Sequence, residues 1–452
     1  MKETIAVFDI GKTNKKIFLF DKQLNIIESK EEKFETVTDE DGYECDDIEK
    51  IERWVISSLS ELAGNDKYDL KAVNFTTYGA SLVYLDERGK RLAPVYNYLK
   101  PLPEGFFDTF YERYGGIEEF SRITASPAMG MLNSGLQILW LKRTRPEVFR
   151  KVRHILHFPN YLSYLLTGKC LSEYTSIGCH TAMWDFDNMR YHPWLQDEGI
   201  YLEKPLPNDF LMEISVNNRT LMAGTGIHDS SSSLVPYFSG ISENFILIST
   251  GTWCINMNPF NHEPLTREQL RSDCLAYLSI NQKPVKSSRL FMGHIHDVNL
   301  ERINEHFGIK DDRYKRISPD SGLMAGRLGS GPGNRQFFRN PGNGKYLDDS
   351  VDLSSFNSYE EAYHHMVFDL TELCIESINL IIPEPRRIQN FYVTGGFARN
   401  NIFMSYLSSR LSGDNVYTSE VDNATALGAA LILWRKLAKG DQTLPDLGLI
   451  SW

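Results

Sequence analysis

The chain has 452 residues, of which 42% are hydrophobic and 24% are charged, enough for two compact domains with substantial cores. A net charge of -11 excludes a general attraction to nucleic acid or to an anionic membrane, so we expect neither as a partner. Any phosphate ligand must therefore be held by local features of the fold.

The chain begins with a short apolar run that lacks the long hydrophobic core and the cleavage site of a secretory signal. No stretch is long and apolar enough to cross a bilayer. The six cysteines are scattered and include no Cys-x-x-Cys pair, so neither a zinc site nor a disulfide framework is expected. These observations predict a cytoplasmic protein.

Residues 5–20 predict a β-hairpin, because two β-rich apolar segments flank the polar turn Gly-Lys-Thr-Asn. The backbone N–H groups of this turn could converge on phosphate oxygens, and Lys15 or Lys12 could add positive charge. Asp9 could hold Mg²⁺ through water, because this ion keeps much of its hydration and needs few protein ligands. An ordinary hairpin with turn-favouring residues fits this segment equally well.

Residues 245–257 repeat this layout, with Ser249, Thr250, Gly251 and Thr252 in the turn. Each half of the chain thus opens with a hairpin and later supplies helical segments, which indicates a duplicated α/β unit. We expect two domains, 1–240 and 241–452, that meet across a cleft. One phosphate-binding turn from each domain would form a clamp.

Asp229 precedes four serines and then apolar residues, a pattern that predicts the start of a helix. The simplest interpretation is an N-cap, which requires only free amides in the first helical turn. The alternative is a general base, whose carboxylate the helix dipole keeps ionised until it accepts a hydroxyl proton. The two roles are compatible, and this segment alone favours the cap.

Towards the C-terminus, a predicted strand leads into Gly395 and Gly396 and then into an amphipathic helix, an arrangement that lets a nucleotide base approach the backbone. Residues 322–345 are rich in Gly, Pro and Asn and predict a long surface loop, either without catalytic consequence or as a flap beside the nucleotide. The His-x-His-Asp cluster at 294–297 lies in an apolar stretch, and we assign it no role.

Taken in order, five segments resemble the motifs of the FGGY carbohydrate kinases, in the superfamily of sugar kinases, actin and Hsp70. They read FDIGKTNKK, TTYGASLVYLDERGKRLAPV, GIHD, STGTW, and VTGGFARNN with NATALGAA. The resemblance spans nearly the whole chain and implies an α/β fold with two ribonuclease-H-like (actin-like ATPase) domains and a catalytic cleft between them. STGTW and the His-Asp pair are most similar to rhamnulokinases and fuculokinases.

The resemblance implies an ATP-dependent kinase that transfers the γ-phosphate of Mg-ATP to a primary hydroxyl of a ketose such as L-rhamnulose, L-fuculose or xylulose. It implies Asp229 as the catalytic base and Asp9 as the Mg²⁺ ligand. The implied ATP and phosphate contacts are Gly11, Thr13, Asn14, Lys15, Gly251, Thr252, Gly395, Gly396 and Asn400. The implied substrate contacts are Tyr78, Gly79, His228, Asp229, Asn97 and Tyr98.

The chain departs from the family pattern at a few positions. Asn97 and Tyr98 stand near the place where many members have a carboxylate for the sugar, and Gln137 and Asn423 replace a lysine and an acidic residue. The alternative functions are an ATP-binding protein of the actin or Hsp70 type and a sugar sensor without phosphotransfer. The general base and the sugar-side hairpin favour the kinase, and a homodimer is left open.

Overall fold

The computed structural model describes residues 2–329, 335–338, 351–385, 388–421, 423–438 and 444–452, and no helix within them is long and apolar enough to span a membrane. The strands of the first half are β1 Lys2–Ile10, β2 Lys15–Asp21, β3 Ile26–Glu32, β4 Val37–Thr38, β5 Glu44–Cys45, β6 Tyr68–Thr77, β7 Leu82–Leu85, β8 His154–His157, β9 Ser172–Glu173, β10 Trp184–Asp185, β11 Arg190–Tyr191, β12 Pro205–Leu206, β13 Leu211–Val216, β14 Arg219–Gly224 and β15 Ile227–His228. Those of the second half are β16 Phe245–Thr250, β17 Cys254–Asn258, β18 Cys274–Leu278, β19 Pro284–Leu290, β20 Asn390–Gly395, β21 Asn415–Thr418 and β22 Ile450–Ser451.

Helices alternate with these strands along the chain. The α-helices are α1 Ile48–Gly64, α2 Asp108–Arg113, α3 Ile117–Ile123, α4 Ser134–Thr144, α5 Pro146–Phe149, α6 Phe158–Thr167, α7 Tyr174–Ile177, α8 Trp194–Asp197, α9 Asp229–Ser233, α10 Val235–Gly240, α11 Arg267–Arg271, α12 Met292–Phe307, α13 Ser321–Gly329, α14 Tyr359–Asn379, α15 Asn401–Arg410 and α16 Ala424–Leu437. Short 3₁₀ helices span Gly130–Leu132, Arg313–Arg316, Leu353–Ser355 and Phe397–Arg399.

A seven-stranded sheet forms the core of the first half, in the order β13-β14-β6-β1-β2-β3 with β15 beside β6. β1 and β2 pair antiparallel, as the hairpin pattern predicts, while β6 and β15 run parallel to β1. The apolar run from Ile5 to Phe8 is fully buried, which suits a central strand that is covered on both faces. The carboxyl ends of β1, β6 and β15 therefore open at the same edge of the sheet.

The second half is built on another seven-stranded sheet, in the order β18-β19-β17-β16-β20-β21-β22. Its strands β19-β17-β16-β20-β21 repeat the order β3-β2-β1-β6-β14 of the first sheet. In both, an antiparallel hairpin supplies the central strand, and the later strands run parallel to it. The repeat confirms the duplicated α/β unit that the two hairpins predict.

The helix α16 packs on the first sheet although it lies near the C-terminus. Its residues 426–434 share one hydrophobic cluster with apolar side chains of β1 and β2. It also contacts α9, where the Ser232 hydroxyl donates to the carbonyl of Thr425 at 2.7 Å. The expected boundary at residue 240 therefore does not hold for α16, which packs with the first half because its apolar face matches that sheet.

The expectation of a surface loop over residues 322–345 is wrong for part of this segment. Residues 322–329 belong to α13, in which Arg327 is buried and donates to the Asp369 carboxylate at 2.6 Å. Asp369 also accepts two backbone N–H groups from residues 335–338, so this short segment is anchored to α14. The rest of the expected loop, 330–334 and 339–345, lies outside the described residues.

We predict that Gly428→Ala destabilises the protein, although alanine is favoured over glycine in helices by about 1 kcal/mol. A Cβ at Gly428 would lie 1.9 Å from the carbonyl oxygen of Ser232, so α16 would have to move away from α9. Such overpacking costs about 1–3 kcal/mol. The matched control is Gly326→Ala in α13, where a Cβ has open space and alanine should be neutral or stabilising. Urea unfolding of both variants checks this, and equal stability of the two would contradict it.

Candidate active site

Three strand ends of the first sheet bring the first group of site residues together. β1 ends beside Asp9, β6 leads into Tyr78 and Gly79, and β15 leads directly into Asp229. Because these strands are parallel, their carboxyl ends meet at one edge, the usual position of a ligand site in α/β sheets. The geometry thus joins motifs that are distant in sequence.

The carboxylates of Asp9 and Asp229 lie close enough to influence each other. The pKa of Asp9 is raised to about 7, first by burial and then by the negative charge of Asp229. Lys16, the cross-strand partner of Asp9, opposes this rise only in part. The pair therefore presents concentrated negative charge that a bound cation would relieve.

Asp229 is the first residue of α9, and about a third of its side chain is exposed. The N-cap is His228, and its side chain makes no capping bond, so the interpretation of Asp229 as the N-cap is wrong. Its Oδ1 instead accepts the N–H of Ser230 at 2.6 Å and lies 3.2 Å from Nε2 of His228. These contacts orient the carboxylate and leave Oδ2 available for a substrate proton.

Asp46, just after β5, ties the first turn to the wall of the site. Its Oδ1 accepts Lys15 at 2.9 Å, and its Oδ2 accepts Lys12 at 2.8 Å and the hydroxyl of Tyr78 at 2.5 Å. Lys15 is only 2% exposed and its ammonium is held by Asp46 and by the carbonyl of Lys12, so its assignment to phosphate is corrected. Lys12 is about one-third exposed and lies over the rings of Tyr78 and Tyr98.

The first turn itself is closed by a backbone hydrogen bond. Gly11 donates its N–H to the carbonyl of Asn14 at 2.9 Å, which closes the turn and leaves Thr13 exposed at its tip. Oδ1 of Asn14 is buried and has no hydrogen-bond partner among the described residues. The turn therefore retains polar groups that a ligand can satisfy.

The second turn is held by unusually close backbone contacts. Gly251 donates to the carbonyl of Trp253 at 3.0 Å, and Gly293 donates to the carbonyl of Thr252 at 3.1 Å. Gly395 has a φ of +86°, and a Cβ there would lie 1.8 Å from the carbonyl oxygen of Thr250, so only glycine fits. The structure thus brings the second turn together with the predicted Gly395 and Gly396.

A cavity of about 510 Å³ opens beside this second turn. Gly251, Thr252, Gly396 and Asn400 line it, as expected for an adenosine-side pocket. The Asn400 side chain caps α15 and donates to the Tyr363 hydroxyl at 3.0 Å, so it shapes the wall more than it offers a free donor. Four of the nine expected ATP and phosphate contacts therefore line this pocket, whereas Gly11, Thr13, Asn14, Lys15 and Gly395 do not.

A second cavity, of about 350 Å³, lies where the two halves face each other, and we call it the sugar cavity after the ligand that the resemblance implies. From the first half it is lined by Tyr78, Gly79, Ala80, Tyr98, Leu132, Cys179, His180, His228, Asp229, Ser230 and Ser233. From the second half it is lined by Ser249, Ile255, Met257, Leu275, Tyr277, Ser287 and Arg289. A Cβ at Gly79 would lie 2.8 Å from Nε2 of His228, so this glycine lets the imidazole approach the backbone.

Asn97 does not line this cavity, and its assignment as a substrate contact is corrected. Its Nδ2 donates to the carbonyl of Glu44 at 3.0 Å, and its Oδ1 accepts the N–H of Leu99 at 3.0 Å. The side chain therefore stabilises a turn. Its neighbour Tyr98 does line the cavity, so only one of the two expected contacts from this segment stands at the site.

Comparison with known proteins identifies the family. The N-terminal domain of the FGGY family of carbohydrate kinases matches residues 4–207, and the FGGY C-terminal domain matches residues 242–317. These two matches together cover more than half of the chain. The chain belongs to the FGGY family of carbohydrate kinases.

Curated relatives of this FGGY chain include rhamnulokinases at low identity. The chain is 26% identical to the enzyme of Oceanobacillus iheyensis over 239 residues, 50% of this chain and 49% of the relative. It is 23% identical to that of Yersinia pestis over 410 residues, 87% of this chain and 81% of the relative. The chain thus spans about half the length of the first relative and most of the second.

Solved FGGY structures have the same fold. A carbohydrate kinase from Novosphingobium aromaticivorans matches with a TM-score of 0.79 and 21% identity, over 99% of this chain and 95% of that one. Glycerol kinase of Plasmodium falciparum, solved with ADP, matches with a TM-score of 0.72 and 16% identity, over 98% and 91%. The expected pair of ribonuclease-H-like, actin-like domains is confirmed.

Sequence reasoning missed several residues of this FGGY site. His296 and Asp297, to which no role was assigned, line the 510 Å³ cavity from the first turns of α12. Ile255 and Met257 line the sugar cavity, and their alternation along β17 directly after the phosphate turn is a signal that could have found them. Lys16 could have been found by counting the β1–β2 register back from Asp9.

The residues present fit a hydrated magnesium ion. Among the described residues, no group of three or more His, Cys, Asp or Glu could hold a metal by itself. Mg²⁺ commonly uses one or two carboxylates together with water and substrate phosphates, so Asp9 beside Asp229 is sufficient. The raised pKa of Asp9 is the observation in favour, because a cation would remove the charge repulsion that causes part of it.

We predict that Asp9→Asn stabilises the metal-free protein more at about pH 8 than at about pH 5. Because the pKa of Asp9 is about 7 when folded and 3.8 ordinarily, the folded state binds more protons between these values and loses stability as pH rises through them. Asp9→Asn has no carboxylate at this position, so it does not lose this stability as the pH rises. Urea unfolding at both pH values checks the sign, with Asp66→Asn as an exposed control. A variant that is less stable than the wild type at pH 8 would contradict the assignment.

Proposed function

We propose that the protein is an ATP-dependent carbohydrate kinase that transfers the γ-phosphoryl group of Mg-ATP to the primary hydroxyl of a ketose. The observation that carries this proposal is the position of Asp229, which lines the sugar cavity and also lies near enough to Asp9 to raise its pKa. A base between a sugar-sized cavity and a charged phosphate site is what in-line transfer requires.

In the proposed reaction, Asp229 accepts the proton of the attacking hydroxyl while its Oδ1 stays oriented by Ser230 and His228. The N–H groups of Thr13, Asn14 and Thr252 hold the phosphates in place, while those of Gly11 and Gly251 close the two turns. Magnesium held at Asp9 would neutralise charge on the transferred group. Closure of the two halves would exclude water from the sugar cavity, since both halves line it.

The nucleotide is assigned to the 510 Å³ cavity beside Gly395, Gly396 and Asn400. Support comes from its contact with the second turn, which would let the phosphates reach Gly251 and Thr252. The structurally similar glycerol kinase was solved with ADP, which agrees with a nucleotide in this fold. Lys16 takes the role first given to Lys15, because it faces Asp9 across the hairpin.

The sugar is proposed to be a 6-deoxyketose such as L-rhamnulose or L-fuculose. Leu132, Met257 and Leu275 give the cavity apolar patches that suit a methyl group better than a hydroxymethyl group. Tyr78 and Tyr98 add ring faces against which a sugar can pack. The rhamnulokinase relatives point in the same direction.

We further propose that the two lobes divide near residue 240, as the sequence suggests, but that α16 belongs to the first lobe. Its apolar contacts with β1 and β2 support this division. The connection through α9 and α10 and the return through α16 would then be the two crossings between lobes. A small-molecule sugar remains the proposed partner, and a homodimer stays open.

We predict that Asp229→Asn lowers kcat by about 10²–10⁴-fold, because the amide cannot accept the hydroxyl proton. ATP affinity should change little, since Asp229 lines the sugar cavity and not the nucleotide cavity. Coupled kinase assays, ATP binding and melting temperature on one preparation check this. Asp66→Asn, the same change at an exposed site, is the control and should leave turnover intact.

Retained turnover in a stable Asp229→Asn protein would refute the assignment of the base. ATP hydrolysis that is indifferent to every sugar would instead favour an ATP-binding protein of the actin or Hsp70 type.

We predict that a panel of ketoses is phosphorylated with the order 6-deoxyketose above pentulose. A pentulose lacks the C6 methyl group of a 6-deoxyketose, so burial of that methyl group should favour L-rhamnulose and L-fuculose over xylulose and ribulose by roughly 10-fold or more in kcat/KM. Initial rates at several sugar concentrations check the order. A higher kcat/KM for xylulose would overturn the 6-deoxy assignment but keep the kinase assignment.

A further inference from the structure

The loop that follows α7 has a strained backbone at the wall of the sugar cavity. His180 has a φ of +40° and Ala182 a φ of +61°, left-handed conformations that are uncommon for residues other than glycine. Such backbone strain is unfavourable and persists only where the surroundings hold it. Two of three consecutive residues at the wall of this cavity have this conformation, which requires an explanation.

The surroundings of this loop do hold it in place. The carbonyl of His180 accepts Nδ2 of Asn133 at 2.9 Å, and that of Thr181 accepts the N–H of Gly135 at 2.8 Å. The carbonyl of Ala182 accepts the indole N–H of Trp194 at 2.6 Å. Successive carbonyls of the strained segment are thus tied to α4 and α8, which fixes the direction of the His180 side chain.

That side chain lines the sugar cavity. Its ring lies edge-to-face with the ring of His228, with 6.5 Å between centroids, and close to the backbone of Gly79. Nδ1 of His180 is buried and has no hydrogen-bond partner among the described residues. A buried polar nitrogen without a partner is unfavourable, and a ligand hydroxyl can satisfy it.

The imidazole is neutral at physiological pH. Burial first, and then the neighbouring His228, lower the pKa of His180 to about 4. A neutral ring has one donor and one acceptor nitrogen, which matches a hydroxyl group, whereas a charged ring would offer only donors. The chemistry of the ring thus agrees with a sugar ligand more than with a phosphate.

We propose that His180 is a specificity-determining residue that hydrogen-bonds a secondary hydroxyl of the ketose through Nδ1. Because His228, not His180, contacts Asp229, the hydroxyl bound by His180 is a different one from the hydroxyl that is phosphorylated. A site that pairs a buried nitrogen with a hydroxyl rejects the epimer that points this hydroxyl elsewhere, since the nitrogen is then left unpaired. This inference rests on the proposed function.

The experiment compares His180→Phe, which keeps a ring but removes both nitrogens, with His180→Asn, whose amide can occupy the region of Nδ1. Asparagine also tolerates the left-handed backbone better than most residues. His154→Phe, a substitution outside both cavities, is the control. Steady-state kinetics over pairs of epimeric ketoses, ATP affinity and melting temperature are measured for each protein, and ketose binding is measured separately by calorimetry.

We expect His180→Phe to lower kcat/KM for the best ketose by about 10–100-fold, while kcat/KM for one epimer changes much less, so that discrimination collapses at one carbon. His180→Asn should keep most of the discrimination, and ATP affinity should be unchanged in all variants. A uniform loss for every ketose, or retained discrimination in His180→Phe, would overturn the proposal. If His180→Phe fails to fold, the comparison of wild type with His180→Asn decides, because complete loss of discrimination in a folded Asn variant also contradicts it.

Failure of the proposed function gives a different result. If the wild type binds ketoses in the calorimeter without phosphorylating them, the kinase assignment fails, and His180 is still tested by the epimer preference of binding. If the wild type binds no ketose, both proposals fail together.

Discussion

Close packing of α16 against α9 and β1 is the constraint on which the candidate site depends. α9 begins with Asp229, and β1 ends beside Asp9, so one helix holds the elements that carry both carboxylates. The contact is possible because Gly428 lets the backbone of α16 approach the carbonyl of Ser232. A helix from the far end of the chain therefore packs against both elements that carry these groups, which the first half supplies.

This arrangement keeps two like charges near each other, which the fold alone would not favour. Burial is the larger cause of the raised pKa of Asp9, and the negative charge of Asp229 is the smaller one. Active sites commonly hold groups in such unfavourable environments, because a cation or a substrate then binds more strongly than it would to a relaxed surface. His180 at the sugar cavity is a second group in an unfavourable environment. Its backbone has a left-handed φ, and its buried Nδ1 has no hydrogen-bond partner among the described residues.

Local pattern was sufficient for the hairpins, the duplicated unit and most of the clustered site residues, because alternation and turn glycines directly reflect strand geometry. It was insufficient where long-range contacts decide. Lys15 turns inward because Asp46 is there to pair with it, and Asn97 serves a turn through the carbonyl of Glu44. The side of α16 that faces the first sheet is also invisible in its sequence, since a small-residue helix packs equally well on many surfaces.

One carboxylate, that of Asp46, contacts both Lys12 beside the phosphate turn and Tyr78 in the wall of the sugar cavity. Any movement of Tyr78 on sugar binding would therefore change the hydrogen bond between Asp46 and Lys12. Any movement of Lys12 on nucleotide binding would likewise change the hydrogen bond between Asp46 and Tyr78. In the proposed kinase, the binding free energies of the two substrates would then be coupled through a single buried group. That coupling would arise within the first half of the chain, before any rearrangement of the lobes.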